Sequence, residues 1–180
     1  PLDVIGEYSN DQRLHMAYCF EFLSEDFNFS DTNKIVDQFF HNNPNSWPCW
    51  SFSNHDSMRI TSRVNKPSKE IMKKLMELKG NICIYQGEEL GLLETKVKFK
   101  DLQDPFGKNF WPEFKGRDGC RTPMPWNSTE INFGFSRNKT WLPVNLDYAP
   151  KSVQKQKQDP DSMLNYTREL IKQRKRGFAT

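Results

Sequence analysis

An α/β fold built on a parallel sheet is what this sequence predicts, and three observations lead there. Short apolar runs of strand length alternate with segments of helical periodicity. The order reads strand, helix, strand, helix, strand, long loop, helix. Polar residues suited to a site gather just after the strands, where α/β proteins place their chemistry. Repeating strand–helix units imply parallel strands, in a sheet that is open or closed. Three strands cannot close a barrel, and an open sheet this small leaves its edges exposed.

The first strand is the run 14–23 (LHMAYCFEFL), short, apolar and aromatic. Asp31 is placed to cap a helix whose Ile35, Val36, Phe39 and Phe40 share one face, and Pro44 with Asn45 breaks it. The run 47–53 (WPCWSFS) supplies the second strand. Ser68 is placed to cap a helix carrying Ile71, Met72, Leu75, Met76 and Leu78, which Gly80-Asn81 ends. Residues 82–85 form the third strand, closed by Gln86-Gly87. From about 91 to 160 periodicity fades, and Pro, Gly, Asn and Asp abound. Such a long irregular stretch is commonly functional or disordered. Its aromatic content argues for a large ordered loop or subdomain. A last helix turns Leu164, Leu170 and Ile171 inward, with Lys172, Arg174, Lys175 and Arg176 in the C-terminal turn that the helix dipole favours for cations.

A chain of 180 residues can bury the core of one domain. Its 36 % apolar and 27 % charged residues place it with soluble globular proteins. No apolar run approaches the roughly 18 residues of a membrane helix. A net charge of +3 without a basic stripe excludes a nucleic-acid partner. Pro1 in place of Met suggests an excised piece. The four cysteines are widely spaced, with no CxxC pair, which speaks against a zinc site or a disulfide scaffold. No metal-ligand set and no cofactor motif emerges. Cys19, Cys49 and Cys83 lie in apolar runs and read as reduced core residues, which fits a cytoplasmic enzyme. His15 reads as a core or strand-end residue, and His41 as the end of a helix. Aromatics in polar stretches, such as Phe106, Phe110, Trp111, Phe114 and Trp126, serve either as loop anchors or as a sugar-binding surface.

The sharpest feature is Phe52-Ser53-Asn54-His55-Asp56, with Arg59 following. An apolar strand delivers an imidazole and a carboxylate side by side at its C-terminal end. His55 can donate to a sugar hydroxyl. Asp56 can accept from two hydroxyls or face a developing positive charge, as in the oxocarbenium-like transition state of retaining glycosidases. Asn and Asp also favour plain turns, so the pattern alone leaves both readings open.

This motif resembles the one after barrel strand seven of the α-amylase family. Ile84-Tyr85-Gln86-Gly87-Glu88-Glu89-Leu90-Gly91 resembles the family segment after strand eight, and Arg13-Leu14-His15-Met16-Ala17-Tyr18 the approach to strand six. Gln103-Asp104-Pro105, Gly116-Arg117-Asp118-Gly119 and Arg121-Thr122-Pro123-Met124-Pro125-Trp126 resemble the loop of the family's oligosaccharide-cleaving α-glucosidase branch. The resemblance covers nearly the whole chain in the right order. It implies that residues 1–180 are the C-terminal portion of one catalytic TIM-barrel domain: about strands six to eight, with their helices and a loop subdomain at about 91–160.

The resemblance also assigns roles. Asp56 would be the transition-state-stabilising carboxylate, and His55 would bind the same sugar. Arg121 would close the blind end of the pocket, so that glucose is taken from chain ends. Arg59 is grouped with the substrate-binding residues, its expected part being to orient Asp56 or its neighbours. Glu88 and Glu89 are read equally as structural groups or rim contacts. Arg117 and Asp118 would pair and hold the loop. The family nucleophile lies in a Gly-x-Arg-x-Asp-type run, which does not occur here and is expected upstream. The acid/base is a Glu usually preceded by Gly. Glu7 after Gly6 is the candidate inside the chain, but its surroundings make a poor strand, and a Glu upstream of Pro1 is the preferred expectation. The implied reaction is retaining hydrolysis of terminal α-linked glucose from oligosaccharides or α-glucosides, with the missing N-terminal half as partner and the piece inactive alone. A transglucosylase or sucrose isomerase of the same family is one alternative, and a non-catalytic binding subunit another. The intact set of His55, Asp56 and Arg121 speaks against the latter.

Overall fold

The computed structural model describes residues 2–10 and 13–177. Pro1, noted above, lies outside them. The elements that carry the site are helix α1 (Leu2–Tyr8), strand β1 (Ala17–Cys19), helix α2 (Thr32–Asn42), strand β2 (Pro48–Trp50), the short helix α3 (Ile60–Arg63), helix α4 (Ser68–Glu77) and strand β3 (Asn81–Ile82). Two short helices, α5 (Pro105–Asn109) and α6 (Val153–Gln158), and the longer α7 (Met163–Gly177) lie in or after the long loop. The strands form one parallel sheet in the order β1-β2-β3, with Tyr18 opposite Cys49 and Trp50 opposite Ile82.

Alternation along the strands decides which face is packed. Cys19, Trp50 and Ile82 share one face, and the helices cover it. The core there joins Cys19, Phe22 and Trp50 to Val36 and Phe39 of α2 and to Ile71 and Leu75 of α4. Trp50 is fully buried and places its indole N–H on the Lys79 carbonyl at 2.7 Å. Tyr18, Cys49 and Asn81 share the opposite face. Cys83 continues that face and is exposed, which corrects its reading as a core residue; Cys19, Cys49 and Cys120 are buried, and all four thiols are free.

The strands are shorter than the apolar runs that announced them. The first run bends after Cys19 into a 3₁₀ turn at Glu21–Leu23, whose Phe22 and Leu23 still reach the core. Helix α2 starts after Asp31 as expected, but the Asp31 side chain makes no capping bond. Helix α4 is preceded by Pro67 in the cap position, and Ser68 is its first residue. The segment before Gly6 is a helix rather than a strand. Leu2 and Ile5 of α1 pack against the first core, and Gly6 lies against the side chain of Asn43, which caps α2 and would have to shift for any Cβ there.

The long stretch is ordered, with a small core of its own. Leu90, Leu92, Met124, Tyr148 and Val153 pack together, joined by Phe133 and Leu164. Helix α7 docks on α4 through Met72, Met76 and Leu170, with Met163 and Ile171 alongside. Arg174 reaches across to the carbonyls of Met76, Leu78 and Gly80, the last at the turn into β3. It therefore satisfies orphan carbonyls at the end of the neighbouring helix. His41 ends α2 as expected, whereas His15 is exposed two residues before β1. Among the described residues no helix is long and apolar enough to cross a membrane.

Candidate functional site

Strand β2 enters the site directly. Its continuation through buried Phe52 and Ser53 ends in an Asx turn, where the Asp56 backbone N–H donates to Asn54 Oδ1 at 2.9 Å. The Ser53 hydroxyl accepts the Ile60 N–H at 2.8 Å and so anchors the start of α3. The turn presents His55 and Asp56 outward, with side chains 69 % and 48 % exposed. His55 Nε2 lies 3.4 Å from Asp56 Oδ2.

The long loop closes over this turn. Arg121 donates from Nη2 to Asp56 Oδ1 at 2.8 Å and from Nε to the His55 carbonyl at 2.7 Å. Arg117 Nη1 reaches the same Asp56 oxygen at 3.1 Å. His55, Asp56 and Arg121 are thus brought together from segments more than sixty residues apart in sequence. The grip is one-sided. Both guanidiniums hold Oδ1, and Oδ2 is left facing His55.

Arg59 is placed differently. Its side chain is 1 % exposed and lies beneath the turn. Nη2 donates to the Cys120 carbonyl at 2.9 Å and Nη1 to the Gln86 carbonyl, while the Arg59 backbone N–H donates to Glu94 at 3.0 Å. The guanidinium also stacks over Tyr85, 5.2 Å from the ring centre. One buried cation thereby ties the ends of β2 and β3 to the long loop. Gly87 makes this possible. Its φ of +91° is left-handed, and a side chain there would sit 2.9 Å from Arg59 Nη1. Arg63 works in parallel, donating to the carbonyls of Met58, Ser24, Phe22 and Phe52. Nothing in its sequence context singled Arg63 out.

Glu88 and Glu89 take structural parts. Glu88 is 4 % exposed and accepts the Tyr85 N–H at 2.8 Å; Glu89 accepts the Gly87 N–H at 2.7 Å. Burial pushes the Glu88 carboxyl up to about 7, against the opposing pull of Ser53, the Tyr85 amide and Arg59. The folded chain therefore holds a proton that an unfolded glutamate releases near its ordinary 4.5. The stability this gives is present below that value and is lost as pH rises through about 7. Glu88→Gln is expected to remove that loss. Its melting temperature should fall less than that of the wild type between pH 5 and 8, with a gain on the order of 3 kcal/mol at the upper end. Parallel melting curves across that window would show that Glu88 is ionised in the fold.

Arg117 does not pair with Asp118, its sequence neighbour. It pairs with buried Asp104, through Nε to Oδ2 and Nη2 to Oδ1, both at 3.0 Å. Asp118 instead accepts the backbone N–H groups of Gln103 and Asp104 at 2.6 and 2.8 Å. Glu7 lies at the other end of the sheet. The end of α1 meets the start of β2, where the Ser9 carbonyl accepts the Trp47 N–H, and Glu7 itself pairs with exposed Arg13 at 2.8 Å. Among the described residues no group of three His, Cys, Asp or Glu side chains is gathered as a metal would require. A cavity of about 620 Å³ runs along the edge of β3 between Ile82, Ile84, Met76 and Ile171, and Asp56 does not line it.

The C-terminal end of a strand in a parallel sheet, where Asp56 meets Arg117 and Arg121 of the long loop, is where α/β folds place their sites. Residues 6–179 match the model of the alpha-amylase catalytic domain, and the chain belongs to that family. It is 43 % identical over 183 aligned positions to a probable alpha-glucosidase of Rhizobium meliloti (strain 1021), covering 97 % of this chain and 33 % of that protein. It is 33 % identical to an oligo-1,6-glucosidase of Heyndrickxia coagulans, covering 71 % of this chain and 27 % of that protein. The crystal structure of an alpha-glucosyl transfer enzyme superposes with a TM-score of 0.87 at 41 % identity, covering 96 % of this chain and 33 % of the other. The chain spans about a third of the length of the curated relatives it matches.

Proposed function

We propose that these 180 residues supply strands six to eight, their helices and the loop subdomain of a catalytic barrel that hydrolyses terminal α-linked glucose with retention. The observation that carries this is the Asp56 carboxylate, half exposed at the end of β2 and held by Arg121 at 2.8 Å. A retaining glycosidase needs a fixed negative group beside the carbon that becomes oxocarbenium-like. Asp56 has that charge, Arg121 fixes its angle, and Oδ2 is left to meet sugar hydroxyls together with His55. Arg121 also walls one side of the site, which suits a pocket that takes chain ends. Arg59 acts from below as a positioning residue. The nucleophile and the acid/base belong to sequence outside these residues, since no Gly-x-Arg-x-Asp run is present and Glu7 sits at the far end of the sheet. The four free thiols support a reducing, cytoplasmic setting.

The test uses the complete catalytic domain. Glucose release from maltose and from an aryl α-glucoside is the expected result; a folded domain inert on both would overturn the hydrolytic reading. A second reading, glucosyl transfer, is favoured by the 41 % identity to a transfer enzyme. It would appear as aryl group released in excess over glucose, with a glucosylated acceptor making up the difference.

A further inference from the structure

Arg117 meets the carboxylate at the centre of the site, yet sugar binding gives it no task. We propose that Asp104 and Arg117 are a positioning pair that sets how much negative charge Asp56 presents to the sugar. This rests on the reading of Asp56 as the transition-state carboxylate.

Arg121 and Arg117 both donate to Asp56 Oδ1, at 2.8 and 3.1 Å. Two guanidiniums on one carboxylate leave a net positive cluster at the place where positive charge develops in the reaction. Asp104 removes the excess. It is 1 % exposed, so its field is little screened by water or salt. Two carboxylates then stand against two guanidiniums, and Asp56 keeps a share of negative charge for the sugar.

Geometry makes the same point. Asp104 takes the Nε and Nη2 side of Arg117 at 3.0 Å each, and its Oδ2 also accepts the Arg117 backbone N–H at 2.8 Å. Arg117 in turn holds the Asp104 carboxyl far below the usual carboxylate range. Only Nη1 is left to point at Asp56. The two segments are clamped before the side chains meet. A side chain on Gly107 would come within 2.7 Å of the Gly116 Cα, and Asp118 holds the Asp104 N–H at 2.8 Å. The planar fork of an arginine pairs bidentately with one carboxylate and still extends Nη1 to the other, a geometry that the compact ammonium of a lysine does not reproduce.

The experiment measures kcat and KM of the complete domain on an aryl α-glucoside, per active site, together with thermal melts. Asp104→Asn leaves Arg117 uncompensated and is expected to lower kcat about 10²-fold, with KM changed less than about threefold. Combining Asp104→Asn with Arg117→Gln restores the balance of charge and should recover about tenfold of that loss. Arg117→Lys keeps the charge but loses the second arm, and should lower kcat about tenfold. Wild-type kcat per folded site in Asp104→Asn, or a double variant no faster than the single one, would overturn the proposal. If Asp104→Asn does not fold, an unchanged kcat in Arg117→Lys overturns it. A wild type without turnover would instead sink the hydrolytic reading itself, and this inference with it.

Discussion

Asp56→Asn is expected to lower kcat/KM of the complete domain on an aryl α-glucoside by about 10³-fold or more, or about 4 kcal/mol of transition-state stabilisation. The reason is local. Asparagine keeps the shape of the side chain and one acceptor for Arg121, but it carries no charge. The sugar then faces two guanidiniums with no carboxylate between them and the reacting carbon. Asp56 is half exposed and outside the core, so the fold should hold, with a melting temperature within about 2 °C of the wild type. A folded variant that loses less than about tenfold would remove Asp56 from the centre of the account.

The second large effect falls on stability. Arg59→Ala should destabilise the chain by about 3–5 kcal/mol, because the carbonyls of Gln86 and Cys120 lose their buried cationic donor. For a domain of this size that corresponds to a fall in melting temperature on the order of 10 °C. Arg59→Lys should recover only part of it, since an ammonium lacks the two separated nitrogens that reach Gln86 and Cys120 and the flat face that stacks over Tyr85. A melting temperature within about 2 °C of the wild type in Arg59→Ala would show that the loops are held by other means.

The helices were legible where one face is apolar. Val36 and Phe39 of α2, and Ile71, Met72, Leu75 and Met76 of α4, are buried as their spacing predicts. Strand lengths were less legible, because an apolar run does not stop where hydrogen bonding stops. Phe22 and Leu23 are as buried as a strand would be, but they lie in a 3₁₀ turn. Cys83 misled for a related reason. An apolar run gives no sign of where the sheet ends, and Cys83 lies just past β3 and is exposed. Helix α1 was missed because Gly6 weakens its pattern; the glycine lies against the Asn43 side chain, which only the fold brings near.

At the site, the strand-end turn could be read from its residues, because Asn54, His55 and Asp56 are consecutive. The partners could not. Arg117 lies beside Asp118 in sequence and thirteen residues from Asp104, with α5 between them. A sequence shows the adjacent pair; close approach of Gly107 and Gly116 makes the distant one. Asp104-Pro105 did carry a signal, since Asp before Pro is a helix start, and the Asp104 side chain accepts the Phe106 N–H at 3.1 Å. That capping bond leaves the carboxylate free to hold Arg117 as well.

The most direct test of the central claim is the anomer first released. The complete domain, given an aryl α-glucoside and followed by proton NMR from the first seconds, should produce α-glucose before mutarotation yields the β form. That result is required of two successive displacements with Asp56 stabilising an oxocarbenium-like transition state. β-Glucose appearing first would mean a single inverting displacement, and the retaining mechanism assigned here would be contradicted.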